Sequence, residues 1–183
     1  MNTISLLSAG VVALLTCPMG QAQLTMDSSS GSLATVNWGA QVSYGLATAE
    51  GVLLPAGDLV RIGSFGDLTD AEIQAAQSDF SLLNSRFVQF GTAVIGENYH
   101  DAAGYWAAVT AQDTDALSLT GKKIYLWAFN SATADAATEQ GIFKSAKLPD
   151  WLFPSSSPVG GVTSIDLSDV QSSGILVGGI NSD

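Results

Sequence analysis

Carboxylates are the side chains of this sequence best placed to do chemistry, because three pairs of them lie close together along the chain. The pairs are Glu97 with Asp101, Asp113 with Asp115, and Asp166 with Asp169. Two carboxyl groups held a fixed distance apart on either side of a glycosidic bond can hydrolyse it. None of these pairs lies in a pattern that predicts a shared cleft, so a two-carboxylate glycoside hydrolase is the weakest functional interpretation of the sequence.

Asp113 and Asp115 also suggest a metal site. The run Asp113-Thr114-Asp115 could supply two hard oxygen ligands to Ca²⁺ from one loop. A complete calcium loop has further Asp or Asn ligands and a glycine, and this loop lacks them. We therefore expect a solvated turn and no cofactor, with calcium at Asp113 and Asp115 as the one metal hypothesis.

Nucleophilic catalysis has little support in the sequence. The chain has one histidine, His100, and one cysteine, Cys17. It contains no G-x-S-x-G, S-x-x-K, P-loop, G-x-G-x-x-G or H-E-x-x-H motif. Asp101 follows His100, but adjacent residues rarely face each other as a catalytic triad requires. We predict an ordinary loop histidine, no catalytic residue and no enzymatic activity.

Aromatic side chains offer binding chemistry instead, since exposed Trp and Tyr rings could form a stacking platform for a glycan. The best candidates are the neighbours Tyr105 and Trp106. Successive residues of a strand point to opposite faces, so at most one of the two rings is exposed. Aromatic rings in a small β-domain are more often buried, and core packing is the competing interpretation.

Composition excludes other classes of function. The chain has 17 acidic residues against 6 basic ones, for a net charge of −11. Nucleic-acid binding draws most of its affinity from Lys and Arg, so we expect no nucleic-acid partner. Binding to anionic membranes is disfavoured for the same reason. Hydrophobic residues make up 46% of the chain, which is too many for a disordered protein.

Residues 1–22 are predicted to be a secretory signal peptide. Their apolar stretch from Ile4 to Leu15 is too short to span a bilayer but suits a signal sequence. Gly20-Gln21-Ala22 then supplies small residues for cleavage before Gln23, although no Lys or Arg precedes the apolar stretch. A buried N-terminal element and lipidation of Cys17 are the alternatives. The mature chain would be secreted or on the bacterial cell surface, without a stable membrane span.

The remaining sequence predicts a flexible leader over residues 23–33 and a single β-rich domain over residues 34–183. The domain is expected to be a mainly β, antiparallel β-sandwich-like fold. Predicted strands cover residues 34–42, 59–65, 105–111, 122–130, 141–145 and 175–180. Residues 148–158 are predicted to form a loop. The sequence of residues 165–170 does not decide between secondary structures. Residues 122–130 are apolar on both faces, which indicates a central strand that is covered on both sides.

One amphipathic helix is predicted to pack on this sheet. Thr69 and Glu72 fit a capping box at its start. Apolar residues then recur at helical spacing along one stripe that ends at Phe90, and Gly91 is the expected stop. Phe87 belongs to this stripe and is expected to be buried against the sheet.

Four segments carry a resemblance to a known family: residues 57–65, 125–130, 139–143 and 151–154. Their order and spacing resemble those of small exported proteins of Verrucomicrobia and related bacteria that usually end in a PEP-CTERM sorting tail. The resemblance covers residues 34–180 and implies an exported, surface- or matrix-associated protein of unknown activity. It implies no functional residues. This chain has no such tail at its end. It would be either a relative without the tail or a chain from which the tail is missing.

These patterns together favour an exported structural or adhesive protein without catalytic activity. The alternative is a carbohydrate-binding module that uses Tyr105 or Trp106. An exposed aromatic row would support the carbohydrate-binding module, whereas two carboxylates facing each other across a deep cleft would support the hydrolase.

Overall fold

The structure is a computed structural model that describes residues 32–40, 45–146 and 151–179. The predicted signal peptide and most of the predicted leader lie outside the described residues. The predicted strand at 34–42 and the predicted loop at 148–158 are therefore described only in part. Cleavage after Ala22 and lipidation of Cys17 stay predictions.

The described residues form eight strands, two α-helices and three short 3₁₀ turns. The helices are α1 (Asp70–Ala75) and α2 (Phe80–Arg86). The 3₁₀ turns cover Ala134–Ala136, Leu167–Asp169 and Ser172–Gly174. The strands are β1 (Ala34–Ala40), β2 (Leu59–Ser64), β3 (Val88–Val94), β4 (Trp106–Gln112), β5 (Tyr125–Phe129), β6 (Gln140–Phe143), β7 (Val162–Asp166) and β8 (Ile175–Val177).

The strands make two sheets, of order β4-β1-β7 and β3-β2-β5-β6-β8. This arrangement confirms the predicted mainly β, sandwich-like fold. The prediction of a purely antiparallel fold needs one correction, because β1 and β7 are parallel while the other paired strands are antiparallel. A parallel pair needs a long crossover. The chain between β1 and β7 supplies it, and on the way it forms β4 and four of the five strands of the larger sheet.

The central strand of the larger sheet is β5, as the sequence predicts. It pairs with β2 on one side and β6 on the other, and each of its five residues is buried. Leu126 and Ala128 face the smaller sheet, whereas Tyr125, Trp127 and Phe129 face the helical layer. Both faces of β5 therefore lie in a hydrophobic core, which is the physical reason that both are apolar.

Two short helices and a strand replace the single predicted helix of residues 69–90. The start is confirmed, because Glu72 N donates to Thr69 Oγ1 at 3.3 Å and Thr69 N donates to Glu72 Oε2 at 2.8 Å. A second N-cap then interrupts the helix, where Asp79 accepts a hydrogen bond from Leu82 N at 2.9 Å.

The predicted stop at Gly91 is wrong because this stretch continues as β3. Gly91 pairs with Ile62 of β2, and Phe90 is buried between the two sheets. A Cβ at position 91 would come within 2.6 Å of Thr110 Oγ1, so the glycine lets β3 approach β4. The apolar residues of this stretch have helical spacing, but pairing with β2 makes the stretch an edge strand of the larger sheet.

Residues 165–170, whose secondary structure the sequence does not decide, contain the end of β7 and the 3₁₀ turn that follows it. Among the described residues, no helix has both the length and the apolar character needed to cross a membrane.

Candidate functional site

Trp106 lies in the core, so it cannot be the exposed ring that the sequence analysis considered. Its side chain is fully buried and meets Trp38 edge to face, with ring centroids 6.2 Å apart. The alternation of β4 is the cause, because even-numbered residues at its start face the larger sheet. Trp106 Nε1 is buried, and no acceptor in the described chain reaches it.

Tyr105, the other candidate ring, lies at the surface. It is half-buried and stacks with Tyr99, with ring centroids 6.1 Å apart and an angle of 24° between the ring planes. Tyr99 is also half-buried. The two rings lie against each other on the segment of residues 96–105, which connects β3 to β4 and which we call the tyrosine loop.

The tyrosine loop has an unusual backbone. Asn98, His100 and Asp101 have φ values of 58°, 52° and 59°, in the left-handed region that residues other than glycine seldom adopt. Asn, Asp and His tolerate this region better than most side chains do. Backbone outliers of this kind cluster at functional sites, where surrounding contacts hold them in place.

Hydrogen bonds and close packing hold the loop in this shape. Tyr99 N donates to Gly96 O at 3.0 Å, and Asn98 Nδ2 donates to Ala107 O at 2.7 Å. Gly96 has a φ of 89°, and a Cβ there would lie 2.9 Å from the Cα of Asp101. Tyr99 is thus positioned by the fold rather than by a ligand.

The polar residues of the tyrosine loop face solvent or bond to the neighbouring backbone. His100 and Asp101 are both exposed, and Glu97 accepts a hydrogen bond from Val94 N at 3.2 Å. The sequence alone does not single out Tyr99 as a candidate binding residue. The sequence feature that could have pointed to Tyr99 is the run Asn98-Tyr99-His100-Asp101. Three of its four residues are of types that tolerate left-handed backbone.

The predicted calcium ligands Asp113 and Asp115 lie together on the segment after β4, around a serine from a distant part of the chain. Ser156 Oγ lies 2.7 Å from Asp113 Oδ1 and 2.9 Å from Asp115 Oδ2. Ser156 is buried, and no sequence pattern links it to the two aspartates 41 and 43 residues away.

Protein donors occupy these carboxylates. Asp113 Oδ1 accepts from Ala116 N at 3.0 Å, and this bond, followed by the Ser156 hydroxyl, lowers the pKa of Asp113. The hydroxyl of Thr120 is the main cause of the lowered pKa of Asp115, and Ser156 adds to it. The two aspartates thus tie residues 113–120 to residues 154–157.

Metal binding at this pair stays a prediction. In the described part of the chain, no three side chains among His, Cys, Asp and Glu lie together as a metal site requires. Two aspartates alone supply fewer oxygens than the six to eight that Ca²⁺ takes.

Comparison of the chain with protein-family models, with curated protein sequences and with solved structures finds no match.

Proposed function

We propose that this protein is an exported structural or adhesive component of the bacterial surface or matrix, and that it works without catalysis. The carrying observation is the structural use of Asp113 and Asp115, which both contact the Ser156 hydroxyl. Asp113 and Asp115 hold loops together and have lowered pKa values, whereas a general acid needs a raised one. Export rests on the predicted signal peptide and on the PEP-CTERM resemblance.

Export and the absence of catalysis are tested on the secreted protein. After expression in a bacterial host, mass spectrometry of the exported protein should place the N-terminus at Gln23. The purified protein should turn over no peptide, ester or glycan substrate. An intact Met1 on exported protein contradicts the signal peptide. Turnover that Asp113→Asn or Asp115→Asn abolishes contradicts the non-enzymatic function, and Glu50→Gln serves as the matched exposed control.

The stacked tyrosines favour a second candidate, a carbohydrate-binding module. Tyr99 and Tyr105 present two nearly parallel rings on a loop held in place by the fold, and a sugar ring stacks well on such a surface. The negative field of the protein favours neutral or cationic glycans over acidic ones. The proposed binding residues of this candidate are Tyr105, which the sequence already suggests, and Tyr99 in place of the buried Trp106.

A glycan array with the purified protein identifies the ligand, and titration calorimetry compares variants. Tyr99→Ala and Tyr105→Ala should each weaken binding by up to about tenfold, the value of one aromatic contact. Tyr99→Phe and Tyr105→Phe keep the rings and should bind like the wild type. Binding that survives both alanine substitutions removes the tyrosine platform.

A further inference from the structure

A cavity of about 430 Å³ lies against the larger sheet and is distinct from the tyrosine loop. Ala128 and Phe129 of β5 line it together with Gly141 and Phe143 of β6. Its size falls in the range of about 300–1,000 Å³ that is typical of small-molecule sites. Most of the lining is apolar, as in such sites.

A hairpin of residues 45–54 forms one wall of this cavity. Leu46 and Leu54 anchor it, since both are buried, and the Leu54 amide donates to Leu46 O at 2.9 Å. Gly104 N donates to Leu54 O at 2.8 Å, which ties the hairpin to the tyrosine loop. The wall is therefore built into the fold, and the cavity exists before any ligand binds.

Glu139 supplies the one charge among the described lining residues. Its Oε2 accepts a hydrogen bond from Ala49 N of the hairpin at 2.8 Å. No donor in the described segments reaches Oε1, so this oxygen remains for a ligand. An apolar cavity with one oriented carboxylate oxygen, in a protein of net charge −11, attracts a cation and repels an anion.

Two glycines, Gly178 and Gly179, also line the cavity. Gly178 has a φ of 83°, which disfavours a larger residue. A Cβ on Gly179 would meet no atom within 4 Å, so a side chain could be added there without a clash. Position 179 is therefore the place to test occupancy of the cavity by substitution.

We propose that this cavity binds a small organic cation, an amine with an apolar body. The ammonium group donates to Glu139 Oε1, and the apolar body lies between Leu46, Leu54 and Phe143. This site does not rest on the proposed adhesive function.

Binding of 2-phenylethylamine at pH 7 tests the proposal, followed by NMR shifts of the backbone amides. The amides of Ala49, Gly141 and Gly178 should shift and saturate together. The matched probe 3-phenylpropanoate has a similar apolar body and the opposite charge, and it should not bind. Absence of saturable shifts at these amides, or equal binding of both probes, overturns the proposal.

Two substitutions test whether the carboxylate of Glu139 is the group that binds the ammonium. Glu139→Gln keeps an acceptor for Ala49 N and should weaken amine binding at least about tenfold, the lower value of one hydrogen bond to a charged group. Glu50→Gln removes an equal charge from the exposed hairpin tip and should leave the affinity within about twofold. Equal weakening by both variants would show a general field effect and overturn the contact.

A third variant tests the cavity without touching the carboxylate. Gly179→Leu adds a side chain where the structure has open space, and it should abolish binding of the amine. Amide spectra that match the wild type outside the cavity show that the variant folds. Full affinity in this folded variant would place the amine elsewhere and refute the proposed site.

Discussion

Replacing Phe87 by Ala tests the packing of the helical layer on the larger sheet. Its ring is 8% exposed and lies 4.9 Å from the ring of Phe65 and 5.1 Å from that of Trp127. The guanidinium of Arg61 lies 4.7 Å above it. A ring at the centre of these contacts cannot be removed without leaving a cavity.

The expected loss is about 4 kcal/mol. Removing a buried area of roughly 150 Å² at about 25 cal/mol per Å² gives this value. Measured costs of Phe→Ala changes in cores, about 3–5 kcal/mol, bracket it. For a domain of this size the melting temperature should fall by roughly 8–16 °C.

Urea unfolding followed by tryptophan fluorescence measures the loss, since Trp127 reports on the site directly. Phe87→Leu keeps most of the volume and should cost only about 1 kcal/mol. Leu82→Ala on the exposed side of α2 should change stability by at most about 0.5 kcal/mol. A loss below about 1 kcal/mol for Phe87→Ala, with an unchanged denaturant slope, would refute the burial of this ring.

Three further predictions concern carboxylates and the central strand. Burial raises the pKa of Asp70, but hydrogen bonds from Tyr125 and Lys144 and the charges of neighbouring lysines outweigh it and leave that pKa lowered. Asp70→Asn should therefore cost about 1–2 kcal/mol at pH 7, and in pH-dependent unfolding the difference should vanish as the pH falls below about 4. Asp58 is 7% exposed, its Oδ2 has no partner in the described chain, and burial raises its pKa. The contribution of Asp58 to stability should therefore fall as the pH rises above about 4, and Asp58→Asn should gain about 1 kcal/mol over the wild type at pH 7 in thermal unfolding. Hydrogen exchange at Leu126 should need near-global opening, and exchange there as fast as at the exposed Gly66 would contradict the central position of β5.

Local patterns were sufficient to predict several elements. The apolar residues on both faces of β5 indicate burial on both sides, because polar residues would remain on any face that met water. The capping box at Thr69 and Glu72 lies within four consecutive residues, so it could be identified without knowledge of the fold. Strand alternation also predicted that Tyr105 and Trp106 point in opposite directions.

Alternation could not decide which of those two rings is buried, because both are aromatic and the choice depends on where the second sheet lies. The same limit applies to Phe90 and Gly91, whose helical spacing gave way to pairing with β2.

The contacts of the candidate sites are more distant still along the chain. Ser156 reaches Asp113, and Glu139 reaches the amide of Ala49, across 43 and 90 residues respectively. The sequence by itself determined the local periodicities, the helix cap and the charge of this protein. The tertiary structure alone decided which rings are exposed and which carboxylates meet partners, because those depend on how distant segments pack against each other.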